Sequence, residues 1–162
     1  MVIRRNILPS HVISNPLKNQ PTQNKTLSEM ANGKTILLGE DDIDDQEILE
    51  EIFSTIDDSL NLQFFNNGHK VIQHLDNVED QHLPCLIVLD FNMPELNGAE
   101  ILKVLSEKKK LQHIPKIIWS TSNAATYKQM CFELGACDYL VKPSKISALE
   151  EVAKHMLSYC VA

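Results

Sequence analysis

No stretch of this sequence stays apolar for the roughly 20 residues that a membrane-spanning helix needs. Arg4 and Arg5 open the chain, but no uninterrupted apolar segment follows them. The pattern of a secretory signal is therefore missing, and a cytoplasmic location is the default expectation. Among Cys85, Cys131, Cys137 and Cys160 there is no Cys-x-x-Cys pair, and no histidine stands at zinc-ligand spacing from two of them. A zinc site is thereby argued against, and reduced thiols are expected, with Cys85 a buried small hydrophobe at the head of an apolar run. The six histidines are scattered and none is assigned a role. Glycine is sparse, at five residues, and the first apolar run is followed by GEDDIDD. That acidic stretch is the electrostatic opposite of a loop that cradles a nucleotide or flavin phosphate. Positive charge is also short, with 15 Lys and Arg against 22 Asp and Glu and a net charge of -7. Residues 1–29 carry Arg4, Arg5, Lys18 and Lys25 against Glu29, a net of +3, which leaves -10 for the remainder. An acidic body of this kind disfavours direct nucleic-acid binding, which needs cations to replace the counterions on phosphate.

What the sequence does contain is the make-up of one soluble globular domain: 162 residues, 43% hydrophobic and 23% charged. Residues 1–33 stand apart. They hold Pro9, Pro16 and Pro21 among many Asn, Gln, Ser and Thr, with no sustained period. Such a segment is expected to be a disordered N-terminal extension, because it buries too little apolar surface to offset its ordering entropy. Met30 begins MANGKTILLGEDD, a natural opening for the folded part, so it is an alternative start; a partner-binding tail is the functional alternative. From Lys34 to Ala162 the pattern changes. Strands are expected near 34–39, 60–65, 85–90, 114–119 and 137–141, and helices near 43–56, 68–78, 97–109, 123–134 and 145–159. Asn123 and Ser144 are candidate caps for the last two helices. Strands alternating with helices predict an α/β domain with a doubly wound parallel sheet. CLIVLD is apolar nearly throughout, as suits a central strand buried on both faces.

In an open parallel sheet, ligands bind at the carboxyl ends of the strands. Four of the five apolar runs end in polar residues, and this brings Glu40, Asp41, Asp90, Ser120 and Lys142 together. Three carboxylates, a hydroxyl and an ammonium suit a divalent cation and a phosphoryl group. Asp90 can act as a nucleophile toward phosphorus and form an acyl phosphate. Glu40 and Asp41 supply hard oxygen donors for Mg²⁺ (or Mn²⁺), with Asp41 the expected direct ligand, and the backbone carbonyl of Asn92 can complete the set. Asp42, Asp44 and Asp45 read as solvated first-turn residues favoured by the helix dipole. Ser120 can donate to a phosphoryl oxygen. Lys142 can pair with Asp90 before phosphorylation and with phosphate after it. Pro143 bars Lys142 from the α region and admits a cis bond between the two.

The stretch 34–159 resembles the receiver domain of two-component response regulators, most visibly in NMPELNG at 92–98 and GACDYLVKP at 135–143. The resemblance implies a flavodoxin-like sheet of five parallel strands in the order 2-1-3-4-5, flanked by five helices. It places Mg²⁺ on Glu40, Asp41, Asp90 and the carbonyl of Asn92, and the phosphoacceptor at Asp90. The switch hydroxyl falls on Ser120, the aromatic switch on Tyr139 and the family's lysine on Lys142. It further implies that a sensor histidine kinase or a phosphotransfer protein donates the phosphoryl group in a phosphorelay. Ser120 then moves toward it, Tyr139 turns inward, and a surface for a downstream target protein, or for a homodimer, is remodelled. Asn92, Thr121 and Ser122 flank the acceptor and would modulate hydrolysis. Gly39, Trp119 and Thr121 depart from the commonest family pattern without removing a needed functional group. With the chain stopping at Ala162, a stand-alone regulator is expected.

An aspartyl phosphatase often places a second Asp two residues after its nucleophile as general acid, but that position is Asn92, so turnover on a small phosphoester is not expected. The domain is read as a signalling phosphoacceptor that catalyses only its own phosphorylation and dephosphorylation. The remaining alternative is a receiver-like interaction scaffold that works without phosphorylation.

Overall fold

The computed structural model describes residues 33–160. The expected extension and the alternative start at Met30 lie outside the described residues, apart from Gly33. Five strands alternate with five helices: β1 (Thr35–Gly39), α1 (Ile43–Ile56), β2 (Asn61–Phe65), α2 (Gly68–Asn77), β3 (Leu86–Asp90), α3 (Gly98–Ser106), β4 (Lys116–Ser120), α4 (Ala125–Glu133), β5 (Asp138–Val141) and α5 (Leu149–Ser158). All neighbouring strands are parallel, in the order β2-β1-β3-β4-β5. This is the expected doubly wound sheet, and strand order reverses at the β1–β3 boundary.

Alternation along the strands builds two cores. Leu37, Ile87, Leu89 and Ile118 face α2 and α3 through Val71, Leu75, Ile101, Leu102 and Leu105. Ile36, Leu38, Val88, Ile117 and Trp119 face α1 and α5 through Leu49, Phe53, Ala153 and Met156. All five residues of β3 are buried, as its unbroken apolar run anticipates.

Helix ends follow local chemistry. Asp42 caps α1, its side chain accepting from the Asp44 amide at 2.9 Å. Asn97 and Glu100 form a reciprocal capping box that starts α3 at Gly98 and fixes the loop leaving β3. The proposed caps on the last two helices are not realised. Ala124 precedes α4 and Ala148 precedes α5, neither with a side-chain cap bond, and a 3₁₀ turn at Ile146–Ala148 takes up the start expected for the last helix. No described peptide bond is cis, so Lys142–Pro143 is trans.

The thiols also differ from expectation. Cys85 and Cys160 are joined in a disulfide with their Cα atoms 5.0 Å apart, while Cys131 and Cys137 are free. The partners are 75 residues apart in sequence, so spacing could not pair them. Topology brings the entry of β3 and the exit of α5 to the same end of the sheet.

Glu95, in the loop after β3, is the one described non-glycine residue with positive φ, at 69°. An L-residue there is strained against its Cβ, whereas glycine is not. Glu95→Gly is expected to raise stability by about 0.5–1 kcal/mol, read from the midpoint of a urea melt. An unchanged or lower midpoint would show that the Glu95 side chain contributes more than the backbone strain removes.

Candidate functional site

The sheet ladder continues one residue past several strand ends. Glu40 N–H donates to the Phe65 carbonyl at 2.9 Å, Phe91 N–H to that of Trp119 at 3.0 Å, and Lys142 N–H to that of Ser120 at 2.7 Å. The backbone beneath each polar side chain is therefore held by the sheet rather than by a free loop. Glu40 is 1% exposed, Asp90 7% and Ser120 0%, whereas Asp41 is exposed and opens the site to solvent.

Lys142 is the hub. Its Nζ donates to Glu40 Oε2 at 2.8 Å and Asp45 Oδ2 at 2.7 Å, and lies 3.4 Å from Asp90 Oδ2. It also sits 5.9 Å from the centroid of the Trp119 ring. Burial works against the ammonium, but the bonds to Asp45 and Glu40 outweigh it and hold Lys142 above the ordinary lysine range. Glu40 shows the opposite balance. Burial pushes its carboxyl up from 4.5 to about 7, with the Lys142 ammonium opposing. Glu40, Asp45 and Asp90 thus share a single ammonium, and Asp41 adds a further carboxylate beside Glu40 and Asp90, an excess of negative charge that invites a further cation.

Glu40, Asp41 and Asp90 each offer a carboxylate oxygen, and these three lie within 4.8 Å of one another. Carboxylates this close could share one divalent cation after modest side-chain adjustment. The all-oxygen donors and the raised Glu40 carboxyl fit a hard divalent cation. Asn92 is exposed, and its amide donates to Asp90 Oδ1 at 3.1 Å. The loop therefore orients the carboxylate from one side while Lys142 approaches the other oxygen.

Ser120 Oγ accepts from the Ser122 amide at 3.1 Å, which engages a lone pair and leaves the hydroxyl proton for another acceptor. Tyr139 is 5% exposed and already turned inward, its Oη donating to the Ser122 carbonyl at 2.9 Å. Lys128 Nζ lies 5.7 Å from the same ring. Phe91, the residue after Asp90, stacks on Tyr127 of α4 with centroids 4.8 Å apart. Thr121 is exposed and Ser122 half-buried beside this cluster.

Of the residues expected at the strand ends, Glu40, Asp41, Asp90 and Lys142 lie together, while Ser120 ends β4 at the same sheet edge with its hydroxyl engaged by Ser122. The sequence reading missed Asp45, which it placed among solvated first-turn acids. Only the turn of α1 brings its carboxylate to Lys142, 97 residues away.

Comparison with known proteins agrees with this fold. A model of the response regulator receiver domain matches residues 36–154. The chain is 28% identical over 140 residues to the two-component response regulator ARR17 of Arabidopsis thaliana, covering 82% of this chain and 90% of that one. It is also 28% identical over 134 residues to the chemotaxis protein CheV2 of Helicobacter pylori, but spans only 42% of that protein's length. Among solved structures, a response regulator in red light signalling of R. palustris superposes with a TM-score of 0.70 at 28% identity, over 78% of this chain and 92% of that one. The Mn²⁺-bound form of response regulator Rcp1 does so with a TM-score of 0.69 at 26% identity, over 77% and 92%. With the family model spanning nearly the whole folded region, the chain belongs to the response regulator receiver domains of two-component signalling.

Proposed function

We propose that this receiver is a phosphorelay regulator that accepts a phosphoryl group on Asp90 with Mg²⁺ and switches a protein-interaction surface. The observation that carries the reading is the setting of Asp90. It is a nearly buried carboxylate fixed at a strand end, with Lys142 3.4 Å from one oxygen and two further carboxylates within metal-sharing distance. Transfer from a phosphohistidine of a sensor histidine kinase or phosphotransfer protein breaks the N–P bond and forms an Asp90 O–P bond. The imidazole takes the electron pair of that bond and leaves neutral because its other ring nitrogen carries a proton. Mg²⁺ held by Glu40, Asp41, Asp90 and the Asn92 carbonyl would neutralise charge on the phosphoryl oxygens. Lys142 stays charged throughout and can follow the negative charge from the carboxylate to the phosphoryl group. Ser120 would donate its proton to a phosphoryl oxygen, and Tyr139, which is already buried with its hydroxyl on the Ser122 carbonyl, would adjust its packing as Ser120 moves rather than swing in from outside. Downstream, a target protein or a second copy of the chain would read the remodelled surface. Asn92 and Ser122 are short and uncharged, so water would not be tightly shielded from the acyl phosphate, although the bulk of Thr121 would narrow access. The acidic body argues against direct nucleic-acid contact, no described helix is long and apolar enough to cross a membrane, and a cytoplasmic setting suits such a relay.

Intact mass spectrometry after incubation with Mg²⁺ and acetyl phosphate tests this reading. One labile phosphoryl group is expected on the wild type and none on Asp90→Asn or without Mg²⁺. No phosphoryl on the wild type, even from a phosphorylated kinase, would leave the phosphorylation-independent scaffold as the better reading.

A further inference from the structure

We infer that Cys85 and Cys160 form a reversible thiol–disulfide exchange site, open to a dithiol reductant, that locks and releases the C-terminal end of α5. The site lies at the end of the sheet opposite Asp90 and does not depend on the phosphoacceptor reading.

The two sulfurs differ in access. Cys160 is 2% exposed, whereas Cys85 is half-buried and borders two surface clefts. One is lined by Thr35, Gln63 and His74, the other by Pro84, His113 and Tyr159. An attacking thiolate therefore has access to Cys85 from outside, while Cys160 is closed to it. Of the other two thiols, Cys131 is buried and pushed up to about 11, whereas Cys137 is exposed but also raised, so neither is a ready thiolate.

The reduced state is equally well provided for. Cys85 Sγ lies 3.3 Å from the Thr35 carbonyl, an acceptor for the thiol proton once the disulfide opens. The carbonyl of Cys160 accepts from Lys34 Nζ at 2.9 Å, a bond that does not require the disulfide.

The exchange balances as two displacements. One thiolate of the dithiol attacks Cys85 Sγ, the S–S bond breaks, and Cys160 leaves as a thiolate that takes a proton. The second thiol of the reductant then attacks the mixed disulfide, closing the reductant's own disulfide and releasing Cys85, which is protonated in turn. Two electrons and two protons reach the protein, and the dithiol is oxidised. What changes structurally is the tether between the entry of β3 and the exit of α5. After reduction the last turn of α5 is held by Lys34 and by Asp138, whose carboxylate accepts from Tyr159 Oη at 3.1 Å and lies 2.7 Å from His155 Nε2.

The test uses the full chain equilibrated in oxidising glutathione or in excess dithiothreitol, both without denaturant. Maleimide labelling after quenching into denaturant counts the free thiols, and thermal melting and amide exchange of residues 149–160 report the lock. Oxidised protein should label at Cys131 and Cys137 only, and reduced protein at all four cysteines. Reduction should lower Tm by roughly 5–15 °C and speed amide exchange at the end of α5. Cys160→Ser should show the lower Tm in both buffers, and Cys137→Ser should keep the redox difference. If Cys160→Ser fails to fold, the wild-type comparison still decides the matter. Four free thiols in both buffers, or a disulfide that opens only on unfolding, would overturn the proposal.

Discussion

Glu40→Gln is expected to stabilise the metal-free protein at pH 8 by about 2 kcal/mol while removing its affinity for a divalent cation. Glu40 is nearly inaccessible, and burial raises its carboxyl from 4.5 to about 7 despite the bond to Lys142. A carboxyl that is raised on folding binds protons more readily folded than unfolded. Its contribution to stability is therefore fully present below pH 4.5 and is lost as pH rises through about 7. At about 1.4 kcal/mol per pH unit, that interval corresponds to up to about 3 kcal/mol of destabilisation at pH 8. Glutamine never ionises and so escapes it, though it gives up the charged bond to Lys142, which brings the expected gain down to about 2 kcal/mol. Urea melts of wild type and Glu40→Gln should part between about pH 4.5 and about 7, stay a constant distance apart above that, and converge below pH 4.5. Adding Mg²⁺ should raise the wild-type midpoint and leave that of Glu40→Gln unmoved, because a ligand stabilises only the state that binds it. A variant less stable than wild type at pH 8 without metal would show that the Lys142 pair outweighs the cost of burying the charge. A carboxylate kept at a free-energy disadvantage until a cation arrives is a plain physical reason for the metal to bind there.

The parts of this site that the sequence disclosed are those fixed by strand polarity. Once the apolar runs are read as parallel strands, Glu40, Asp90, Ser120 and Lys142 must share an edge, and the ladder bonds just beyond the strand ends hold them there. Asp45 was hidden because Asp42, Asp44 and Asp45 look alike in sequence. One caps the helix and one reaches Lys142, and only the rotation of α1 separates the two roles. The Cys85–Cys160 pair was hidden for the same reason at longer range, since no local pattern records which strand entry meets which helix exit. Asn97-x-x-Glu100 is different: the capping box stands in the sequence as a readable signal and fixes the start of α3 at Gly98. The start of α5 was misplaced because the 3₁₀ turn at Ile146–Ala148 continues the helical spacing of its apolar residues without an α-helical backbone. The inward position of Tyr139 rests on a backbone carbonyl and on Lys128 of α4, neither of which its own segment specifies.

Lys142→Met should uncouple metal binding from phosphoryl transfer. Methionine nearly matches the lysine stem in length and keeps its apolar packing, so the change is mainly one of charge. Three carboxylates then lose a shared ammonium: Glu40 at 2.8 Å, Asp45 at 2.7 Å and Asp90 at 3.4 Å. Removing one partner of a buried ion pair typically costs about 3–5 kcal/mol. The loss at pH 8 should fall near the lower end, about 3 kcal/mol, because Asp45 is only partly buried and Glu40 can take up a proton. Lys142 is itself raised above its ordinary value of 10.5, so its contribution is complete below that pH and does not vary between pH 5 and 8. The pH dependence of the variant therefore belongs to the carboxylates, and lowering the pH from 8 to 5 should recover more stability in Lys142→Met than in wild type. Mg²⁺ should bind the variant more tightly, since it no longer competes with a resident cation for Glu40 and Asp90. Phosphorylation by acetyl phosphate should nonetheless slow by roughly 100-fold or more, the usual consequence of deleting a preorganised charge that meets the transferring group. Titration calorimetry and timed mass spectrometry separate the two effects. Wild-type phosphorylation rates in Lys142→Met would show that the metal alone carries the charge of the transferring group. A loss of Mg²⁺ affinity would show instead that Lys142 positions the carboxylates rather than competing for them.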